Sequence, residues 1–376
     1  MSASKSTSAY RILHLGDSIK FNPSTYAELD AKFDIVRPST AERQRNEFIT
    51  ALKEHRWGDF NAIMRPAWIT GGEMGQWDNE LISLLPNSVK IFASAGAGFD
   101  WADVRLLAAR GIIYCNSGLA CAESVADFAT AMVISTFRQI PWCMHAANSG
   151  SADAFRACHE HGNADSHTMK NRIVGIVGFG NIGQRVAKRL GAGFGMQVHY
   201  HDVVRKSAEV EKMAVCGLAN VVFHDSLKSL IEAADCVVLA APAANGAAAS
   251  AKPTAMMNAE QFGWFQPGAR FVNVARGSMV DEEALADALE SGHVSAAAID
   301  VHKAEPNINE RLRQMAIGSP VTDGPGGKAR GRVMMTSHNG GGTYETHVGF
   351  EELSMRNVMA VLDGEKAITP VNLEYM

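Results

Sequence analysis

One stretch limits the fold more than any other. Ile173-Val174-Gly175-Ile176-Val177 is a short apolar run, and Gly178-Phe179-Gly180-Asn181-Ile182-Gly183 follows it directly. A buried strand that runs into glycines at this spacing, and then into a helical pattern, reads as the strand–turn–helix unit of an open parallel sheet. Gly178 permits the tight turn, Gly180 lets the backbone approach a pyrophosphate, and Gly183 allows close contact between helix and strand. The helix N-terminus receives the negative charge. Asp202 closes the next apolar run, Val198–His201, about 20 residues later. An acidic group there binds a ribose 2′-hydroxyl and repels a 2′-phosphate, so NAD is the expected cofactor. Arg205 follows closely, and a guanidinium there could accept a phosphate, so NADP is not excluded.

The same alternation continues on both sides of this unit. Downstream, strands are expected at Cys236–Ala240, Phe271–Val274, Ala297–Val301 and Val333–Thr336. Between them fall helices at Ser226–Ala234, near Ala255–Phe262 and at Asp281–Ser291. Together they make a doubly wound sheet of five or six strands. Upstream, Ile12–Leu15, Ala62–Met64, Lys90–Ala95 and Gly111–Cys115 are short buried strands, with an amphipathic stretch at Glu42–Lys53. Helical periodicity runs from Glu123 to Thr136, whereas residues 145–170 turn polar and irregular and are expected to be loop. Thr343–Leu362 is a long final helix that leaves the second set and crosses back to the first. The fold class is therefore α/β, with two Rossmann- or flavodoxin-like domains built on parallel sheets.

Composition narrows the partners. At 376 residues the chain is long for one core and suits two domains. A net charge of −5 gives no electrostatic reason to expect nucleic acid or an anionic membrane. The six cysteines form no C-x-x-C pair, which argues against zinc and against a disulfide framework and fits a reducing, cytoplasmic compartment. The first residues are polar, without the apolar core of a secretory signal, and no stretch is expected to supply the roughly 20 apolar residues of a membrane span.

Ligands of open α/β sheets bind beyond the carboxyl ends of the strands. Three successive strand ends here deliver Arg276, Glu305 and His338. Taken singly, an arginine at a strand end is an ordinary surface cation, a glutamate before proline an ordinary turn residue, and one of 13 histidines is unremarked. Their shared edge, beside the dinucleotide loop, is what raises them together.

The glycine loop, Asn273-Val274-Ala275-Arg276-Gly277, Asp300-Val301 with Glu305-Pro306, and Ser337-His338-Asn339-Gly340-Gly341 resemble the D-isomer-specific 2-hydroxyacid dehydrogenase family, and occur in that family's order. The resemblance extends to Ala95-Gly96-Ala97-Gly98-Phe99-Asp100 and to Asn116-Ser117-Gly118 with Ser124-Val125-Ala126-Asp127. It implies a catalytic set in which Arg276 binds the substrate carboxylate and polarises the 2-keto oxygen. His338 exchanges the proton with that oxygen, and Glu305 orients the imidazole and favours its charged form. Hydride then passes between nicotinamide C4 and substrate C2. The resemblance also assigns the backbone amides of Gly96, Ala97 and Gly98 to the carboxylate, as an anion nest. It assigns Asn181, Ile182, Asp202, Pro242, Ala275, Arg276, Asp300, His338 and Gly341 to the cofactor. By the same likeness a cofactor domain over 123–339 is inserted into a substrate domain made of 1–122 and 340–376, and the protein is a homodimer.

Two segments depart from the family pattern: an Ala-rich run at 243–251, and an apparent basic insertion at Gly318–Arg332. His159, His161 and His167 lie with Glu160 and Asp165 in the polar stretch and are expected to be surface residues. Met64, Arg65, Trp68, Phe99, Trp101 and Met144 are candidates for an apolar substrate pocket, with core packing as the competing reading. A bulky substrate would follow from the pocket, and the run at 95–101 is most similar to the fungal D-mandelate dehydrogenase branch. Two other functions fit the motifs: a glyoxylate or hydroxypyruvate reductase of the same fold, and an NAD(H)-sensing binding protein.

Overall fold

The structure is a computed structural model that describes residues 10–217, 221–243, 255–318 and 331–376. Its contacts fall into two compact units. The first opens with β1 (Arg11–His14), α1 (Pro23–Lys32), β2 (Asp34–Val36), α2 (Arg45–Lys53), β3 (Ala62–Arg65), α3 (Asn79–Ser83), β4 (Ile91–Ser94), α4 (Val104–Ala109) and β5 (Ile113–Cys115). All five strands are parallel, in the order β2-β1-β3-β4-β5, the flavodoxin-like arrangement. Asp78 and Asp103 cap α3 and α4, each accepting the backbone N–H groups of the first turn.

The second unit starts within α5 (Gly118–Arg138) and continues through α6 (Ile140–Asn148) and α7 (Ala152–His161). Then follow β6 (Ile173–Val177), α8 (Asn181–Ala187), β7 (Gln197–His201), α9 (Ala208–Ala214), β8 (Val221–Phe223), α10 (Leu227–Ala233), β9 (Cys236–Leu239), α11 (Ala259–Gly263), β10 (Ala269–Asn273), α12 (Glu282–Glu290), β11 (Val294–Ile299), α13 (Glu310–Met315) and β12 (Val333–Met335). The strands make one parallel sheet in the order β12-β11-β10-β9-β6-β7-β8. Strand β6 is hydrogen-bonded to β7 on one side and to β9 on the other, so chain direction across the sheet reverses there. That switch point is where a ligand crevice forms in folds of this kind.

The chain then returns to the first unit as α14 (Tyr344–Leu362), which packs on β3 and β4. Met355, Val358, Met359 and Leu362 join Ile12, Met64, Ile91 and Ala93 in a core on that face of the first sheet. The other face buries Leu13, Ile63, Phe92 and Tyr114 with Phe48 and Trp77. Both faces are apolar because both are covered, which is why these strands read as continuous apolar runs.

Several expectations need correction. Residues 145–170 are largely helical: Ser151 caps α7 by accepting the Ala154 N–H, and Asp153 sits in the first turn. The helix has no buried residue, and its short apolar set, Ala154, Phe155, Ala157 and Cys158, stands among charged and imidazole side chains, so the stretch reads as polar. The helix placed near Ala255–Phe262 begins only at Ala259, because Asn258 and Gln261 form a capping box. The edge strands β2 and β8, neither with a buried residue, were not expected; β8 brings the second sheet to seven strands rather than five or six. By length and composition α5 is apolar enough to cross a membrane. Its Glu123 and Asp127, however, pair with Arg185 and Arg189 at 2.6–2.7 Å, and Ala126, Ala129, Met132, Val133 and Phe137 are buried, as in a core helix. Most of the Ala-rich run and of the 318–332 insertion lies outside the described residues.

Candidate active site

The glycine loop sits at the switch point of the second sheet. Gly178 has φ +90°, and a Cβ there would lie 2.6 Å from the Ala241 backbone that follows β9. A Cβ on Gly183 would collide with the Gly178 carbonyl, so helix and turn are in backbone contact. At Gly180 a Cβ would meet nothing within 4 Å; the loop is open on that side. Gly180 is the N-cap of α8 and offers no side chain, so the first-turn N–H groups of Asn181 and Ile182 have no side-chain cap. Ala275 is buried, whereas Pro242 after β9 is exposed. This donor set fits the pyrophosphate of a dinucleotide.

Asp202 stands at the end of β7. Its carboxylate accepts the N–H of Phe179 in the glycine loop at 2.9 Å and that of Val203 at 2.7 Å. Burial pushes its pKa up, but these donors and the Lys206 ammonium at 3.1 Å outweigh it and hold the acid below its ordinary value. Arg205 is turned elsewhere: its guanidinium grips Glu211 at 3.0 and 3.2 Å and lies over the Phe223 ring. The cation beside Asp202 is therefore Lys206, which sequence reasoning passed over although it stands at i+4 to the aspartate.

The three polar strand ends belong to adjacent strands in one register: Asn273 pairs with Ile299, and Ile299 with Met335. Arg276 follows β10 by three residues. Its turn is built by Asn273, a buried residue whose Oδ1 accepts the Ala275 N–H at 3.0 Å and whose Nδ2 donates to the Arg276 carbonyl at 3.1 Å. That Asx turn is a sequence signal, and it was missed. Gly277 has to be glycine, since a Cβ would strike the His302 carbonyl.

His338 follows β12. Its Nδ1 lies 2.9 Å from Glu305 Oε2, and a carboxylate only accepts, so Nδ1 carries the hydrogen. Glu305 is steadied in turn by the His302 N–H, donated to Oε1 at 2.8 Å. His302 itself is buried, with Nε2 donating to the Thr336 carbonyl at 2.8 Å, and so belongs to the scaffold between β11 and β12. Asp300 is 3% exposed. Its carboxylate accepts Thr336 Oγ1 at 2.7 Å and the N–H groups of Asn339 and Gly340 at 2.8 Å each, while its carbonyl accepts the His338 N–H at 2.7 Å. Every one of these bonds serves the segment that carries His338. Gly341 ends that segment, partly exposed.

In the first unit Gly96 has φ +91°, and Gly96–Gly98 leave β4 at its carboxyl end. Asn116 donates to the Ala97 carbonyl at 2.8 Å, and Ser117 N–H to that of Gly96 at 2.9 Å, so the segment's carbonyls are held toward β5. Arg65 ends β3, beside Ser94 of β4. It is 9% exposed, stacks 5.0 Å from the Trp101 ring and donates to the Trp68 carbonyl at 2.9 Å; burial lowers its pKa. Phe99 and Trp101 are partly buried against the aromatic core, and Trp68 is partly exposed. Met64 is not in their company: it is fully buried on the opposite face, under α14. Met144 lies exposed on α6. His159 and His161 lie on α7, His159 stacking on Phe155, and Asp165 pairs with Arg332.

These features coincide with relationships to known proteins. Residues 130–340 match the NAD binding domain of D-isomer specific 2-hydroxyacid dehydrogenases. The 4-methyl-2-oxopentanoate reductase A of Aspergillus oryzae is 30% identical over 87% of this chain and 88% of its own length. A glyoxylate reductase of Thermococcus kodakarensis is 32% identical over 80% of this chain and 81% of its own. Among solved structures, the apo form of Rhodotorula graminis D-mandelate dehydrogenase superposes with a TM-score of 0.84 at 33% identity, covering 96% of this chain and 97% of that one. The chain belongs to the D-isomer specific 2-hydroxyacid dehydrogenase family. It is an NAD-binding oxidoreductase of two parallel-sheet α/β domains.

Proposed function

We propose that the protein is an NAD(H)-dependent 2-keto acid reductase and D-2-hydroxyacid dehydrogenase whose acid–base group is His338. The observation that carries this reading is the 2.9 Å bond from His338 Nδ1 to Glu305, on strand ends next to that of Arg276. With Nδ1 committed to the carboxylate, Nε2 is the nitrogen that gives its proton to the keto oxygen in reduction and takes it back in oxidation. Glu305 fixes the tautomer and the orientation of the ring through that bond. Arg276 holds the substrate carboxylate and polarises the oxygen as negative charge develops there. The amides of Gly96, Ala97 and Gly98 serve the same carboxylate. Bound nicotinamide supplies the hydride acceptor or donor. Asn181, Ile182, Pro242, Ala275, Asp300 and Gly341 contribute to holding it, and Asp202 at the ribose selects NADH over NADPH.

A bulky substrate, of the benzoylformate and D-mandelate kind, is supported by the full-length likeness to a D-mandelate dehydrogenase and by Trp68, Phe99 and Trp101 beyond β3 and β4. The identity to several glyoxylate reductases supports a second reading, with a small substrate. We place the enzyme in the cytoplasm as a homodimer with neither membrane nor nucleic acid as partner, in keeping with its net charge of −5.

The test is NADH oxidation against a panel running from glyoxylate and hydroxypyruvate through 4-methyl-2-oxopentanoate to benzoylformate. The highest kcat/KM is expected at the bulky end. A maximum at glyoxylate selects the second reading, and tight NADH binding without turnover of any member sinks both in favour of an NAD(H)-sensing protein.

A further inference from the structure

Helices α6 and α7 pack together as a hairpin, joined by the short turn at Ser149–Ser151. Across it, Cys143 and Cys158 bring their sulfurs to 3.8 Å, the Cys158 thiol donating to Cys143 Sγ. The Cys143 thiol donates in turn to the Arg138 carbonyl at 3.9 Å. Three of the other cysteines, Cys115, Cys121 and Cys236, are buried, and Cys216 is exposed on its own at the end of α9. Cys143 is exposed and Cys158 partly so. Both line a surface cavity of about 580 Å³, together with Arg138, Phe155, His159 and His167. A peroxide-sized molecule therefore has room to reach the sulfurs.

A disulfide needs the sulfurs at about 2.05 Å. The remaining gap is about 1.75 Å between two side chains on packed neighbouring helices, and rotation about χ1 is the motion that closes such a gap. We propose that Cys143 and Cys158 form an oxidisable dithiol, a modification site that takes a hydroperoxide and closes to an intrachain disulfide. Cys143, the more exposed sulfur, attacks as thiolate. Its sulfur bonds to one peroxide oxygen, the O–O bond breaks, and the other oxygen leaves, with a proton, as alcohol or water. The Cys158 sulfur then attacks the Cys143 sulfenic acid, the S–O bond breaks, and water leaves with the Cys158 proton. Two thiols lose two electrons and two protons, and the hydroperoxide is reduced to alcohol and water. A dithiol reductant returns the pair to thiols. Burial and the neighbouring thiol push the Cys158 pKa up to about 11, so Cys158 is the poorer first nucleophile and follows Cys143 in the sequence of steps.

The test uses the full chain, reduced, desalted and treated with hydrogen peroxide, then digested with trypsin without reductant. Cleavage after Arg156 separates the two cysteines, so the expected product is residues 139–156 joined to 157–170 with two hydrogens lost, and dithiothreitol reverses it. Cys216→Ser leaves this product intact, and Cys143→Ser abolishes it. Cys158→Ser halts the reaction at a Cys143 sulfenic acid that dimedone traps. The proposal is overturned if both thiols still alkylate with iodoacetamide after peroxide has oxidised Cys216. Disulfides found only between chains, or only through Cys216, overturn it equally.

Discussion

His338 takes a left-handed backbone conformation, φ +53°, which an L-residue other than glycine adopts only when its surroundings hold it there. Asp300 is the group that holds it, through three donors on its carboxylate and one on its carbonyl. The family resemblance assigns Asp300 to the cofactor; its bonds make it a positioning residue for the histidine. The two roles separate in Asp300→Asn, which turns an amide donor toward groups that themselves donate. If it positions His338, kcat for keto acid reduction falls about 10- to 100-fold while the Kd for NADH is unmoved. A cofactor role instead raises that Kd. His338→Ala is expected to lower kcat by about 10²- to 10⁴-fold, and near wild-type turnover would sink the acid–base assignment. Arg276, Glu305 and His338 were legible as residue types at strand ends. Asn273 and His302 were not, because a buried polar residue that shapes a turn looks in sequence like any other.

At the scale of elements, β7 and the glycine loop are tied by the bond from Phe179 N–H to Asp202, so the carboxylate proposed to bind the ribose also shapes the loop. Asp202→Asn keeps an acceptor for that bond but removes the charge beside Lys206. The ratio of kcat/KM for NADPH to that for NADH is expected to rise by about tenfold or more. An unchanged ratio would show that Asp202 does not select the cofactor. Its depressed pKa also has a sign: it favours the folded loop above the ordinary aspartate pKa, and that contribution is lost as pH falls through the lower, folded value. Helix starts were read well where an apolar stripe followed a cap, as at Ser226 before α10 and Asp281 before α12. They were lost at α7, where the cap stands before a helix with no buried face.

On the scale of the whole molecule, two parallel sheets were legible because their strands are apolar on both faces, and the short edge strands β2 and β8 were not. The first core also carries a titration. His14, fully buried on β1, has its pKa lowered to about 3, by burial first and then by Arg37. Its folded pKa lies below the unfolded 6.5, so the unfolded chain binds the extra proton between those values, and stability declines as pH falls through that window. His14→Phe is expected to reduce the loss of unfolding free energy between pH 7 and pH 5 by about 2 kcal/mol, measured by urea titration; an equal loss in both proteins would refute it. The same unit depends on the chain's return. Asn372, fully buried, accepts the Tyr114 N–H and donates to the carbonyls of Val104 and Ile112, while Asn357 on α14 clasps Ile368 and Thr369. During synthesis the ribosome therefore releases all the residues of the second unit while the first still lacks the strap across its edge. The nucleotide-binding half can mature first, and the earliest-made strands must wait, exposed to chaperones, for the latest-made residues.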